Sequence, residues 1–401
     1  MGLNKKYKGY KSFDYLEAGK DFKVFELCDG DKVFPEYLIP LTEEQEARTL
    51  QLAGDLTCIS IHEHPVLFPK HIKRDVFEFN REGRQPTAYA ALSRSYWDCI
   101  FDNMMDGTCT IHSKAGWKWQ SIIQDIGMRL SDIAHQDYII KCEKVEDIQR
   151  AKDNGQLALV MVIEGAAPIE NEVDRVDILH GLGVRVMGIT YSESNALGSG
   201  LKEDNDGGLT YFGKQVVERM NKIGMTIDCS HVGIQTTKDV IEYSTKPIFM
   251  SHVGAKALWD SKRLAPDDVM IACAKKGGVI GIEAAPHTTI THKTKDHCID
   301  SYMEHFEYCV ELIGIDHVAF GPDTLYGDHV GLHHAFAAQL STKGTQGTTA
   351  FDEVEYVKGI ENPTEGSKNI LRYLVKKGYS EADIAKVMGG NALRVLRETW
   401  C

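Results

Sequence analysis

Two histidines, His62 and His64, stand two residues apart where the apolar run LTCISI ends. In an extended chain that spacing puts both imidazoles on one side of a strand, which suits two ligands on one metal ion. Other groups of ligand type follow other apolar runs: Glu164 after LALVMVI, His231 after MTIDCS, His252 after PIFMS and Asp323 after HVAFGP. A carboxylate can lend one oxygen to each of two ions, and a neutral imidazole holds a divalent metal through a ring nitrogen. Glu164 is therefore expected to bridge two divalent ions, with His62 and His64 on the first, His231 and His252 on the second, and zinc as the default metal. Such a pair lowers the pKa of a water between the ions and polarises a scissile carbonyl. Hydrolysis is the expected chemistry. Asp323, beside Gly321 and Pro322, is placed to take the proton from that water and pass it to a leaving amine. Arg263, a short helix beyond His252, carries the planar fork that binds carboxylates, which would select substrates with a free acid.

Taken singly, each of these residues has a plainer reading. A lone histidine is most often a satisfied core or surface residue, Asp323 also reads as a turn or cap, and Arg263 as a structural ion-pair partner. Four histidines and a glutamate at four strand ends carry the argument as a set. His329, His333 and His334 fall in a stretch that reads as loop, so they are taken as solvent-facing or lid residues and given no ligand role.

The elements that must bring the set together are visible as seven short apolar runs: LTCISI, LALVMVIEG, VRVMGITY, MTIDCSH, PIFMSH, VIGIEAA and HVAFGPD. Each has the unbroken apolar character of a strand buried on both faces, and amphipathic stretches such as YFGKQVVERMNKIG lie between them. Alternation implies a parallel sheet. With an eighth strand in the weakly patterned region between 70 and 150, the expectation is an α/β fold, a (β/α)8 TIM-like barrel, whose strand ends form one functional face. Residues 1–50 read as an N-terminal extension packing on a barrel of residues 51–401. Residues 325–366, with GTQGTT, read as a long insertion and candidate lid. Ser380 is placed to cap a short helix, and Gly389-Gly390 to turn it into another.

At 401 residues, 43% hydrophobic and 26% charged, the chain is ordinary for one large globular domain. Its net charge of -13 has no basic cluster within it, which argues against nucleic acid and anionic membranes as partners. Apolar stretches of signal-peptide or membrane-spanning length are missing, so the cytoplasm is the expected compartment. Ten cysteines with no Cys-x-x-Cys pair read as reduced thiols.

The stretch GLTYFGKQVVERMNKIGMTIDCSHVG, followed by PIFMSHVGAKAL, SKRLAPDDV, AKKGGVIGIEAA and GGNALRVL, resembles the membrane dipeptidase family, also called renal dipeptidase or peptidase family M19. The resemblance spans most of the chain. It implies a bridging glutamate at Glu164 before Gly165, metal histidines at His231 and His252, an arginine for the substrate carboxylate at Arg263 and an aspartate near the active water at Asp323. It also implies a homodimer. Two positions depart from that family's pattern. Its first strand usually ends His-x-Asp, where this chain has His62-Glu63-His64; imidazole in place of carboxylate removes one negative charge and suits softer ions. Its Thr-His-Ser, whose histidine holds the substrate carbonyl or its oxyanion, stands here as Thr190-Tyr191-Ser192, so Tyr191 takes that catalytic and substrate-binding place with a hydroxyl donor.

The expected reaction is hydrolysis of the amide bond in a dipeptide or dipeptide-like small molecule bearing a carboxylate. Two other readings stand beside it: the same barrel acting on a cyclic amide, a lactone or another C–N bond of a specialised metabolite, and a metal-binding barrel without turnover.

Overall fold

Each of the seven apolar runs forms a strand, and the region between 70 and 150 supplies more. The computed structural model describes residues 5–104, 107–108, 117–286, 288–339 and 354–400; GTQGTT lies outside them. In chain order the strands are β1 Ile59–Leu67, β2 Cys99–Asn103, β3 Ile139–Lys141, β4 Leu157–Ile163, β5 Val184–Gly188, β6 Thr226–Asp228, β7 Phe249–Val253, β8 Val279–Ile282, β9 Val318–Phe320 and β10 Leu325–Tyr326. They pair in parallel along the path β1-β2-β4-β5-β6-β7-β8-β9, with β3 beside β4 and β10 beside β1. The two ends meet: Asp323 N–H donates to the His62 carbonyl at 3.2 Å and His64 N–H to the Thr324 carbonyl at 2.9 Å. The sheet thus curls into the expected barrel, and this closing seam runs through three of the candidate site residues.

The barrel interior is filled by alternate strand residues, among them Ile59, Ile61, Phe101, Val160, Val186, Phe249 and Val279. Phe101 and Phe249 meet edge to face across it at 5.9 Å, a geometry that aromatic quadrupoles favour. The floor is made by the last helix, Asn391–Thr399, whose Ala392, Val395 and Leu396 join the same cluster. Ser380 caps the helix before it, accepting from Asp383 N–H at 3.1 Å. A side chain at Gly389 would place Cβ 2.1 Å from the Thr57 carbonyl oxygen, so the glycine lets the turn sit against the start of β1. The packed floor leaves the carboxyl ends of the strands as the open face.

Around the sheet, helices carry apolar stripes inward. The helix Tyr211–Ile223 buries Val216, Val217 and Met220; Thr210 caps it, accepting from Gly213 N–H, and Gly224 ends it at a φ of 85°, a left-handed conformation for which glycine carries no Cβ penalty. The N-terminal segment packs across this outer layer, with isolated bridges at Ala18–Phe22 and Leu27–Pro69. Tyr10 and Ser12 donate to the Asp132 carboxylate, and Ile39 N–H to Asn369. Its first helix, Glu43–Asp55, runs past residue 50, held at its start by a Thr42–Gln45 capping box. The polar stretch after β9 is structured at both ends. It begins as β10 and a helix, His329–Gln339, and closes with the start of a helix at Pro363.

Candidate metal centre

Strict alternation along β1 would send Ile61 and His62 to opposite faces of the sheet. The register between β1 and β2 shifts between Ser60 and Glu63, and such a bulge adds one residue and re-aims the side chains beyond it. Ile61 therefore packs in the interior core while His62, the next residue, also reaches the barrel mouth. The same device recurs between Met250 and Val253 of β7, where Phe249 lies in the core and both Ser251 and His252 face His62. Two bulges thus place imidazoles in one space.

In that space His231 Nε2, His252 Nε2 and Glu164 Oε1 form a triangle with sides of 2.9, 3.0 and 3.0 Å. Beside it, Asp323 Oδ1 lies 2.9 Å from His64 Nε2 and 3.4 Å from His62 Nε2. His62 stacks on His252 with ring centroids 3.5 Å apart and belongs to both ligand groups, His62–His64–Asp323 and His62–Glu164–His252. The structure brings His62, His64, Glu164, His231, His252 and Asp323 together. All are buried except Asp323, which is partly open.

Charge and proton positions fit a cation. Burial acts to raise the Glu164 carboxyl, but His231, His252 and His62 outweigh it and hold the group well below the usual carboxylate range. Burial, with His62 and Arg263, pushes the His252 imidazole far down, and burial with Arg263 lowers that of His231. Ionised carboxylates and neutral imidazoles are the forms that ligate metals. The outer nitrogens are held from behind. His252 Nδ1 meets Ser251 Oγ at 2.8 Å, Ser251 donates to Asp228, and Ser192 Oγ lies 3.0 Å from His231 Nδ1. Since Ser251 gives its proton to Asp228, it accepts from His252 Nδ1–H, which leaves the Nε2 lone pair facing the centre. An Asp228→Asn variant should weaken metal binding by about 10- to 100-fold with the fold intact; a metal-chelator competition titration reads this, and unchanged affinity would remove Asp228 from the arrangement.

Asn103, at the end of β2, has no place in the sequence reading. Its Nδ2 donates to Glu164 Oε2 and lies 3.2 Å from His62 Nε2. Its strand, CIFDN, carries two polar residues in five and so lacks the apolar run that marks the others. Backbone conformation gives a further sign. Asp323 has φ 61° and Ser192 φ 47°, left-handed values that are uncommon away from glycine and cluster at functional sites.

Tyr191 stacks on His231 at 4.3 Å and meets Trp117 edge to face at 4.5 Å, so it reaches the centre by its ring. Arg263 departs from the expected arrangement. Its Nη1 donates to the Ser230 carbonyl at 3.0 Å, its Nη2 to the His252 carbonyl at 2.7 Å, and Glu283 Oε2 lies 2.9 Å from Nη2. The fork expected to face a substrate carboxylate donates to two backbone carbonyls, with the buried Glu283 carboxyl at ion-pair distance, and it ties together the ends of β6 and β7 that carry the metal-type histidines.

With that geometry in view, comparison with known proteins places the chain. The model of the membrane dipeptidase family, peptidase family M19, matches residues 128–340 and 348–400. The chain belongs to that family. Among curated relatives it is similar to dipeptidase tcpJ of Claviceps purpurea (strain 20.1), 27% identical over 277 residues, which is 68% of this chain and 58% of that protein. It is also similar to dipeptidase aclJ of Aspergillus oryzae, 26% identical over 285 residues, 69% of this chain and 61% of the relative. The chain thus spans about three fifths of the length of these two relatives. Among solved structures, an amidohydrolase from Pseudomonas aeruginosa is 27% identical with a TM-score of 0.71, covering 88% of this chain and 99% of that one.

Proposed function

We propose that this M19 protein is a metal-dependent hydrolase that cleaves the amide bond of a dipeptide or dipeptide-like small molecule. The observation that carries the reading is the triangle of His231, His252 and Glu164, joined through His62 to the His64–Asp323 pair, at the open face of the barrel. In this reading His62, His64, Glu164, His231 and His252 hold two divalent ions, with zinc as the default, and Asn103 steadies Glu164. Ions bound there lower the pKa of water and polarise a carbonyl. Asp323 takes the proton at its free carboxylate oxygen and returns it to the leaving nitrogen. Tyr191 and Trp117 form an aromatic wall beside His231 that excludes water and orients the substrate.

Its two dipeptidase relatives support a peptide amide as the target bond. The engagement of Arg263 with Glu283 favours a second reading, an amide or lactone whose carboxylate Arg263 does not read. A homodimer is in keeping with the family. A reducing, cytoplasmic setting is in keeping with the described cysteines, which are unpaired and, Cys298 apart, buried; among the described residues no helix is long and apolar enough to cross a membrane. The test is metal-loaded protein against a panel of dipeptides, N-blocked dipeptides, C-terminal amides and small lactones. Cleavage of free dipeptides, abolished by a chelator and restored by Zn2+, is expected. Turnover of lactones or cyclic amides alone would replace the dipeptidase reading with the second one.

A further inference from the structure

The histidines after β10 are not loop residues. His329 is the first residue of the helix His329–Gln339 and is 3% exposed; His333, one turn on, is half-buried, and His334 is exposed. Residues i and i+4 share a helix face, and two histidines at that spacing are a recurrent helical chelate for zinc. Here His329 Nε2 and His333 Nε2 lie 2.9 Å apart, with ring centroids at 4.7 Å and planes at 43°. The candidate centre repeats this apposition closely. His231 and His252 have Nε2 atoms 3.0 Å apart, centroids at 5.0 Å and planes at 52°.

We propose that His329 and His333 form an additional site for a divalent transition-metal ion, separate from the candidate centre and next to its His64–Asp323 end. Two further observations bear on an ion there. His329 Nδ1, on the ring edge away from the pair, is buried with no hydrogen-bond partner among the described residues; as the protonated nitrogen it leaves the Nε2 lone pair to an ion. A carboxylate also stands at this helix end, where the helix dipole alone would disfavour a cation: Asp328 accepts Gly331 N–H at 2.7 Å. The Glu361 carboxyl, which burial pushes well above the usual range, receives the backbone N–H of His329. β10 pairs with β1 at His64 and Leu325 and the helix begins just after β10, which sets the pair beside the His64–Asp323 end of the centre; the charges of His64 and Asp323 act on both imidazoles. Two imidazoles select late divalent ions such as Zn2+, Ni2+ or Cu2+ over Mg2+ or Ca2+. They leave coordination positions open, so the ion exchanges readily.

The experiment is equilibrium dialysis of the full chain against buffered micromolar Zn2+, with ions counted by elemental analysis. A His329→Gln/His333→Gln double variant should bind one ion per chain fewer than the parent, while Glu164→Gln loses ions from the centre and keeps this one. Equal counts in the parent and a double variant with the parent's circular dichroism and thermal transition overturn the proposal. So does loss of every ion in Glu164→Gln, because the pair is then not a separate site. Should the double variant fail to fold, the half-buried His333→Ala alone decides: at least a 10-fold weaker last Zn2+ equivalent supports the site, and unchanged affinity overturns it. These counts do not depend on dipeptide cleavage, so a protein inactive on dipeptides can still pass, and an active one can still fail.

Discussion

Replacing Glu164 by glutamine should strip the centre of metal and lower hydrolysis by roughly 10³-fold or more, since Lewis-acid stabilisation is worth several kcal/mol and each 1.36 kcal/mol is tenfold in rate. Glu164 Oε1 is the vertex that both His231 Nε2 and His252 Nε2 approach, while Oε2 accepts from Asn103. An amide of the same size keeps the volume and can still meet Asn103, but it cannot carry the negative charge that offsets the ions. In metal-free protein the variant should melt below the parent at neutral pH, because the burial that opposes ionisation is outweighed by His231, His252 and His62, and the ionised carboxylate they favour stabilises the fold. Elemental analysis and a dipeptide assay on the same sample read both effects. A variant that keeps its metal and its rate would show that the triangle is a buried hydrogen-bond cluster and not a metal centre.

The barrel is legible in the sequence because parallel strands covered on both faces become continuous apolar runs, and all seven such runs are strands. The site is legible for a related reason: polar residues that end such runs converge on one face. Departures from regular pairing set the limits. Alternation cannot tell that His62 faces the same space as Ile61, since a bulge decides it, and only the spacing of His62 and His64 survives as a signal. β2 escapes notice because Asp102 and Asn103 interrupt its apolar character. Asp102 is paired with Arg129 at 2.9 Å in the buried outer layer, and Asn103 serves the centre. The Arg263 fork is readable as a carboxylate binder, but which carboxylate it meets is a tertiary fact: Glu283 lies at the end of the next strand and completes the pair. His329 is misread for a similar reason. Its helix is short and surrounded by polar residues in sequence, whereas β10 pairs with β1 and brings that helix against the helix Ile72–Glu82, where Leu332 packs with Val66 and Ile72.

Asp323→Asn is the sharpest test of how labour is divided in the site. Asparagine matches aspartate in shape and tolerates the left-handed conformation seen at φ 61°, so the backbone seam with His62 and His64 should persist. As the proton carrier, Asp323 should account for about 10²- to 10⁴-fold in kcat, with KM and metal content little changed; kcat falling in step with bound metal would instead make Asp323 a ligand. Burial opposes ionisation of this carboxyl, yet hydrogen bonds from His62 and His64 hold it well below its ordinary value of 3.8. A depressed folded pKa means that the ionised group stabilises the fold above the unfolded value, and that this contribution is lost as pH falls through the folded value. In metal-free protein the parent should therefore melt higher than Asp323→Asn at neutral pH, and the gap should close only below the ordinary carboxylate range. A gap of constant size down to strong acid would place its origin in packing and not in the charge shared with the two histidines.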